Sequence, residues 1–310
     1  MAPQHLLLIG DSKTGKSDYA AQAALDGHTV LYVDRDNGLS TLQHRLEKHP
    51  EAMKRVYYFQ PEDMLDFLKD FVDSSIFRYS VKDRKSFITK SVTPDEEIIE
   101  IIPSLIPACV ILSVDSVTSL AFNTVTDKAG KMGIDLMEAD KYSREIYGST
   151  GYVMTQLMSK YQGVPFHTIF QAHGMSYERK EKPKGVVGGI NEKDMIIKET
   201  KMVPISTSGP HGATLGKFFN QIGWLSVTRA GSRVLDFTVR DDRVGGGTPN
   251  AIGDPRVEFT FAKLFGKGVT EAPVDPARPW IRTMTGQEFM DRQAAKQANR
   301  PSLSSAIKKS

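Results

Sequence analysis

Gly10-Asp11-Ser12-Lys13-Thr14-Gly15-Lys16-Ser17 sets two glycines, a lysine and a hydroxyl at the spacing G-x-x-x-x-G-K-[ST]. Each residue type has a task in phosphate chemistry. The glycines let the backbone turn tightly, so that successive N–H groups point at one anion. Lys16 brings positive charge to the β- and γ-phosphates, and Ser17 offers a hydroxyl oxygen to Mg²⁺. The apolar run Leu6-Leu7-Leu8-Ile9 ahead of the loop reads as a buried strand, and Ala20-Ala21-Gln22-Ala23-Ala24 behind it as a helix. Strand, loop and helix in that order are the setting this phosphate-binding loop requires. A carboxylate follows far downstream, where Val110-Ile111-Leu112-Ser113-Val114 reads as a buried strand ending on Asp115. An acid fixed at a strand end can hold Mg²⁺ opposite the Ser17 hydroxyl. ATP and Mg²⁺ are therefore the expected cofactors. A third strand, His167 to His173, also ends in polar residues, and a sensor of the bound phosphates is expected there.

The elements that must position these groups alternate between strand and helix. Thr29 to Asp34 reads as a strand ending in the turn Arg35-Asp36-Asn37-Gly38, and Val56-Tyr57-Tyr58-Phe59 as another. Met64, Leu65, Phe67, Leu68, Phe71 and Val72 recur at helical spacing. The alternation predicts an α/β fold with a mostly parallel central sheet and helices on both faces. Trp224 to Thr228 and Arg233 to Arg240 read as antiparallel strands joined at Ala230-Gly231, with one more strand near Val257 to Phe261. The expected organisation is one ATPase domain over 1–265, interrupted by an insertion over 78–107 that carries a helix around Glu96 to Ile102. Prolines, lysines and serines then predict an extended, largely flexible tail over 266–310 with one short helix near Gly286 to Gln297.

Composition narrows the setting. Forty Lys and Arg against 37 Asp and Glu give a net charge of +3, so any nucleic-acid surface must come from local clustering. Such a cluster lies between Gly174 and Pro204, where Arg179, Lys180, Lys182, Lys184, Lys193, Lys198 and Lys201 flank the glycines of Gly185-Val186-Val187-Gly188-Gly189. The single cysteine, Cys109, cannot form an internal disulfide and suits a reducing cytoplasm. No apolar run approaches the roughly 20 residues a spanning helix needs, so no membrane partner is expected.

With these residues in view, the chain resembles the RecA-like P-loop ATPases, and among them the short RecA-like recombination and single-strand annealing ATPases of bacteriophages. The likeness spans about residues 5 to 262. It rests on the phosphate loop, Leu31-Tyr32-Val33-Asp34-Arg35-Asp36, Phe59-Gln60-Pro61, and Val114-Asp115-Ser116-Val117-Thr118-Ser119-Leu120. The resemblance implies that Asp36, where the family usually has Glu, polarises the attacking water. It also implies that two loops, about Asn123 to Tyr147 and Gly174 to Val203, face single-stranded DNA. There Arg179, Lys180, Lys182 and Lys184 would contact phosphates and Tyr177 would stack on a base. Gln171 or His173 would couple the γ-phosphate to the second loop. Arg240 and Arg243 would reach a neighbour's γ-phosphate in a ring or filament of this chain. The implied function is ATP-dependent annealing or strand exchange, with a single-strand-binding protein as a further partner and the cytoplasm of the host cell as its place. A hexameric helicase or loader with the same core, a small-molecule kinase using 174–203 as a substrate lid, and a nucleotide-gated scaffold are the alternatives.

Overall fold

The computed structural model describes residues 2–35, 38–135, 142, 144–181, 183, 195–238, 241–244, 246, 256–258, 264–265 and 280–298. In chain order the strands are β1 (His5–Ile9), β2 (Val30–Asp34), β3 (Val56–Phe59), β4 (Phe77–Ser80), β5 (Lys85–Ser86), β6 (Glu97–Ile101) and β7 (Ile111–Asp115), then β8 (His167–Ala172), β9 (Gly174–Glu181), β10 (Ile196–Pro204), β11 (Gln221–Val227), β12 (Arg233–Asp236), β13 (Arg256–Glu258) and β14 (Ile281–Thr285). The α-helices are α1 (Lys16–Leu25), α2 (Leu39–Leu46), α3 (Pro50–Met53), α4 (Met64–Asp73), α5 (Val117–Lys131), α6 (Ser149–Tyr161), α7 (Gly209–Leu215) and α8 (Gly286–Ala298). The chain divides into two compact units, residues 1–60 with 107–272 and residues 61–106 with 273–310.

The first unit is built on an eight-stranded sheet in the order β13-β12-β11-β1-β8-β7-β2-β3. Strands β11, β1, β8, β7, β2 and β3 run parallel, and β12 and β13 extend the β11 edge antiparallel. Leu6 to Ile9 and Val30 to Val33 have no exposure at all, because a parallel sheet is covered on both faces. Each fully buried leucine there contributes roughly 1.5–3 kcal/mol. Ala20, Ala21, Ala23 and Ala24 are equally buried, and their small side chains let α1 lie close among its neighbours. Gly27, at φ 94°, ends that helix. Its N–H donates to Ala24 O at 3.2 Å and that of His28 to Ala23 O at 3.0 Å, a Schellman closure that only glycine adopts without strain. The expected α/β architecture, parallel in the centre with antiparallel strands towards the C-terminal side, is the one observed.

Two segments read as polar loops are more ordered than expected. Gly174–Glu181 and Ile196–Pro204 leave the sheet as an antiparallel ribbon of β9 and β10, paired from Gly174↔Pro204 to Glu181↔Ile196 with a register shift between Ile197 and Glu199. After Asn123, α5 continues to Lys131, and a π-helical turn spans Arg144–Gly148.

The second unit corrects the domain reading most. Glu97–Ile101 is a strand, not a helix, because it pairs with β4 on one side and β14 on the other. Helix α4 covers this four-stranded antiparallel sheet: Phe67 meets Phe77 at 5.0 Å and Tyr79 at 5.5 Å between ring centroids, and Phe71 meets Phe77 at 5.2 Å. Part of the tail completes the same unit. β14 adds the outer strand, and α8 sets Phe289 against Ile98 and Met284, where a flexible extension had been expected. The short helix expected near Gly286 to Gln297 is α8. Among the described residues, no helix is long and apolar enough to cross a membrane.

Candidate functional site

The phosphate loop joins β1 to α1, with Gly15 at φ 95° as the residue before the helix. That conformation demands glycine, and a Cβ there would also displace the Arg233 side chain, whose Nε would lie 2.6 Å from it. Lys16 is the first helical residue and is buried. Its ammonium curls back over the loop, donating to Gly10 O and Asp11 O at 2.8 Å each, with His173 Nδ1 at 3.4 Å.

Ser17, one residue on, turns its hydroxyl to the end of β7 and donates to Asp115 Oδ2 at 2.6 Å. The same oxygen accepts a second bond of 2.6 Å from the hydroxyl of Tyr32 on β2. Asp115 and Asp34 stand in register at the carboxyl ends of adjacent strands, and each has its own tyrosine. Tyr58 donates to Asp34 Oδ2 at 2.8 Å and stacks on Tyr32 at 6.1 Å. Burial, and after it the charge of Asp115, push the Tyr32 phenol well above its usual range, so it acts as a neutral donor. Sequence reasoning missed Tyr32. Its signal was a hydroxyl in an otherwise apolar strand, which must find a partner once buried.

A cleft of about 810 Å³ opens over these groups, bounded by the phosphate loop, Gly38 to Arg45 of the α2 region, Asp115, His173 and Arg233. Its size and donor set fit a nucleoside triphosphate, and the Ser17 hydroxyl beside the Asp115 carboxylate fits Mg²⁺. Arg233 was also missed. It starts β12, and its Nη1 is bonded to Asp18 Oδ2 in the first turn of α1, while Arg45 Nε lies 3.4 Å from Asp18 Oδ1. Two cations thus flank the loop on one buried acid.

The two candidate sensors separate. Gln171 is wholly buried within β8, opposite Asp115, with Nε2 on Ser113 Oγ at 3.2 Å. His173, two residues on, lines the cleft beside Lys16. Its N–H donates to Thr118 Oγ1 at 3.0 Å, and its carbonyl accepts from the Ile205 N–H at 2.7 Å.

Arg243 does not project from the chain, contrary to the expectation that it reaches a neighbour. Its Nη2 lies 2.6 Å from Asp236 Oδ2, and its guanidinium lies 5.8 Å from the Trp224 ring centroid. Burial opposes ionisation of Asp236, but hydrogen bonds from Thr238 and the charge of Arg243 outweigh it and hold the carboxyl at about 2. Of the residues expected to meet DNA, Tyr177, Arg179 and Lys180 lie on β9, with Tyr177 opposite Lys201 and Arg179 opposite Glu199. Asp36, Lys182, Lys184 and Arg240 lie outside the described residues.

A parallel α/β sheet with a glycine-bounded phosphate loop after its first strand, and a carboxylate ending a neighbouring strand opposite the loop's hydroxyl, defines a P-loop NTPase. The family model described as an AAA domain matches residues 2–209, and the chain belongs to that family of nucleotide-dependent ATPases, for which ATP and usually Mg²⁺ are implied. The match takes in the phosphate loop, Asp115, His173 and the whole ribbon. No curated protein matches the chain.

Proposed function

We propose that this ATPase is coupled to single-stranded DNA, working as a ring or filament in annealing or strand exchange. The observation that carries the reading is the position of His173. One residue touches Lys16 with its ring, Thr118 with its N–H and, through its carbonyl, the chain leaving the β9–β10 ribbon. Nucleotide state at the loop can thus reach the ribbon through one residue, which favours His173 over Gln171 as the sensor. In this reading Lys16 meets the β- and γ-phosphates, Ser17 and Asp115 hold Mg²⁺, and Asp36 orients the attacking water. Arg233 adds a second cation at the phosphates. Arg240 is the candidate for contact with a neighbouring subunit, since Arg243 is engaged within its own chain.

The ribbon supports DNA as the coupled ligand. Directly opposed residues share a face, so Tyr177, Lys201, Arg179 and Glu199 lie together, an aromatic ring beside two cations and an acid. Those cations rest on acids: Arg179 Nη2 is 3.4 Å from Glu181 Oε1, and Lys201 Nζ is 2.5 Å from Glu199 Oε1. A strand binding here exchanges carboxylates for phosphates, which makes the affinity salt-dependent. Neutralising Arg179, Lys180, Lys182 and Lys184 together is expected to weaken binding of a fluorescent oligothymidylate. It should also flatten the log–log salt slope by about 0.7 per lost contact. Unchanged affinity and slope would contradict the reading and leave the ribbon as a lid over some smaller substrate.

A further inference from the structure

We propose that a second cavity, beside α5, binds a nucleobase stacked on Phe122. The cavity has a volume of about 620 Å³, the size of a nucleotide pocket, and no residue of the phosphate loop lines it. One wall is a face of α5, on which Thr118, Phe122 and Val125 follow at helical spacing. Its other walls are Tyr147, the segment Ile205–Thr207 and Arg35 at the end of β2.

Phe122 is the feature without another explanation. Ala121 and Val125 on the same helix are 2% and 8% exposed, as an amphipathic helix requires, yet Phe122 is 63% exposed. An aromatic ring open to solvent at the mouth of a cavity offers its face to another planar group. The polar lining suits a nucleotide in particular. Asn123 carries both a donor and an acceptor for a base edge, and Arg35 supplies a cation for a phosphate. None of the described lining residues is acidic, so an anion enters without like-charge repulsion.

The far wall is preorganised. Ser206 Oγ lies 2.7 Å from His211 Nδ1, and His211 Nε2 lies 3.3 Å from Thr155 Oγ1. Burial, and secondarily Lys217, lowers the pKa of His211 and keeps the ring neutral, so one ring nitrogen donates and the other accepts across the Ser206–His211–Thr155 chain. That chain holds the Ser206 hydroxyl in place before any ligand arrives.

Two sources share this chemistry, a base within a single strand and a free nucleotide. The proposal rests on the single-strand reading only for the first. The test is Phe122→Trp in the full chain, because the two native tryptophans are 8% and 5% exposed and give a steady background. Oligothymidylate and thymidine monophosphate are titrated separately against indole fluorescence, with oligonucleotide binding followed in parallel by anisotropy. Saturable quenching of the introduced indole is expected. Phe122→Ala is expected to weaken oligonucleotide binding by roughly tenfold, and Phe122→Tyr to restore it. Quenching by the monophosphate without any oligonucleotide binding would support the cavity and overturn the single-strand reading. Oligonucleotide binding by anisotropy, with no quenching by either ligand and wild-type affinity in Phe122→Ala, would overturn the cavity and leave the single-strand reading standing.

Discussion

Tyr32→Phe removes one oxygen from the molecule, and the structure says what that oxygen does. The hydroxyl donates to Asp115 Oδ2 at 2.6 Å, alongside the bond of the same length from Ser17. The ring itself stacks on Tyr58 and is wholly buried, so phenylalanine occupies the same volume. A hydrogen bond to a charged group is worth about 1.5–3 kcal/mol, less what is recovered by burying an apolar ring, so roughly 1–2 kcal/mol of stability is expected to be lost. The functional effect is sharper. An acid held by two hydroxyls is fixed in orientation, and losing such a supporting bond costs metal affinity on the order of 10- to 100-fold. Mg²⁺ titration of ATP turnover should therefore show half-saturation raised by that factor, with nucleotide binding in the absence of Mg²⁺ unchanged. Tyr58→Phe is the control, because its hydroxyl donates to Asp34 at 2.8 Å. It should cost similar stability in a urea melt and leave the Mg²⁺ requirement alone. Equal Mg²⁺ dependence in wild type and both variants would refute the role given to Tyr32.

Lys16→Ala, which removes the ammonium seated on Gly10 O and Asp11 O, is expected to abolish turnover while the far-ultraviolet circular dichroism stays native. Wild-type ATP affinity and rate in that folded variant would remove the nucleotide site itself. Acid should destabilise the first unit through His167, which burial, and after it the neighbouring His28 and His5, hold down from 6.5 to about 4. As pH falls from 6.5 to 4 the unfolded chain takes up a proton that the folded chain refuses, so the stability conferred by the neutral ring is present above the window and lost across it. The loss should amount to roughly 3 kcal/mol. Urea midpoints measured across the window should fall, and His167→Gln, which keeps an acceptor for the Gln4 N–H, should fall less. The same slope in both proteins would exclude His167 as the cause.

The nucleotide site was legible where its parts are contiguous or end a strand. Gly10 to Ser17 is one uninterrupted stretch, and Asp115 closes an apolar run, so both could be read without knowing the tertiary structure. Arg233 could not, because its partner Asp18 is 215 positions away and nothing local marks the encounter. Gln171 and His173 both lie at the polar end of β8, and only the sheet register shows that one stays inside it while the other reaches the cleft. The second unit was hidden for a related reason. Ile98, Ile99, Ile101 and Ile102 fit a helical face as well as a strand, and the choice is made by β4 and by β14, which arrives from the far end of the chain. The tail's composition of Pro, Lys and Ser said nothing of that pairing.

The most direct test of the central claim is the steady-state ATPase rate of the full chain with and without single-stranded DNA at low salt. A saturable rise with added oligonucleotide is expected, lost when Arg179, Lys180, Lys182 and Lys184 are neutralised and absent in Lys16→Ala. An active enzyme whose rate is the same at every concentration of single-stranded DNA would contradict it.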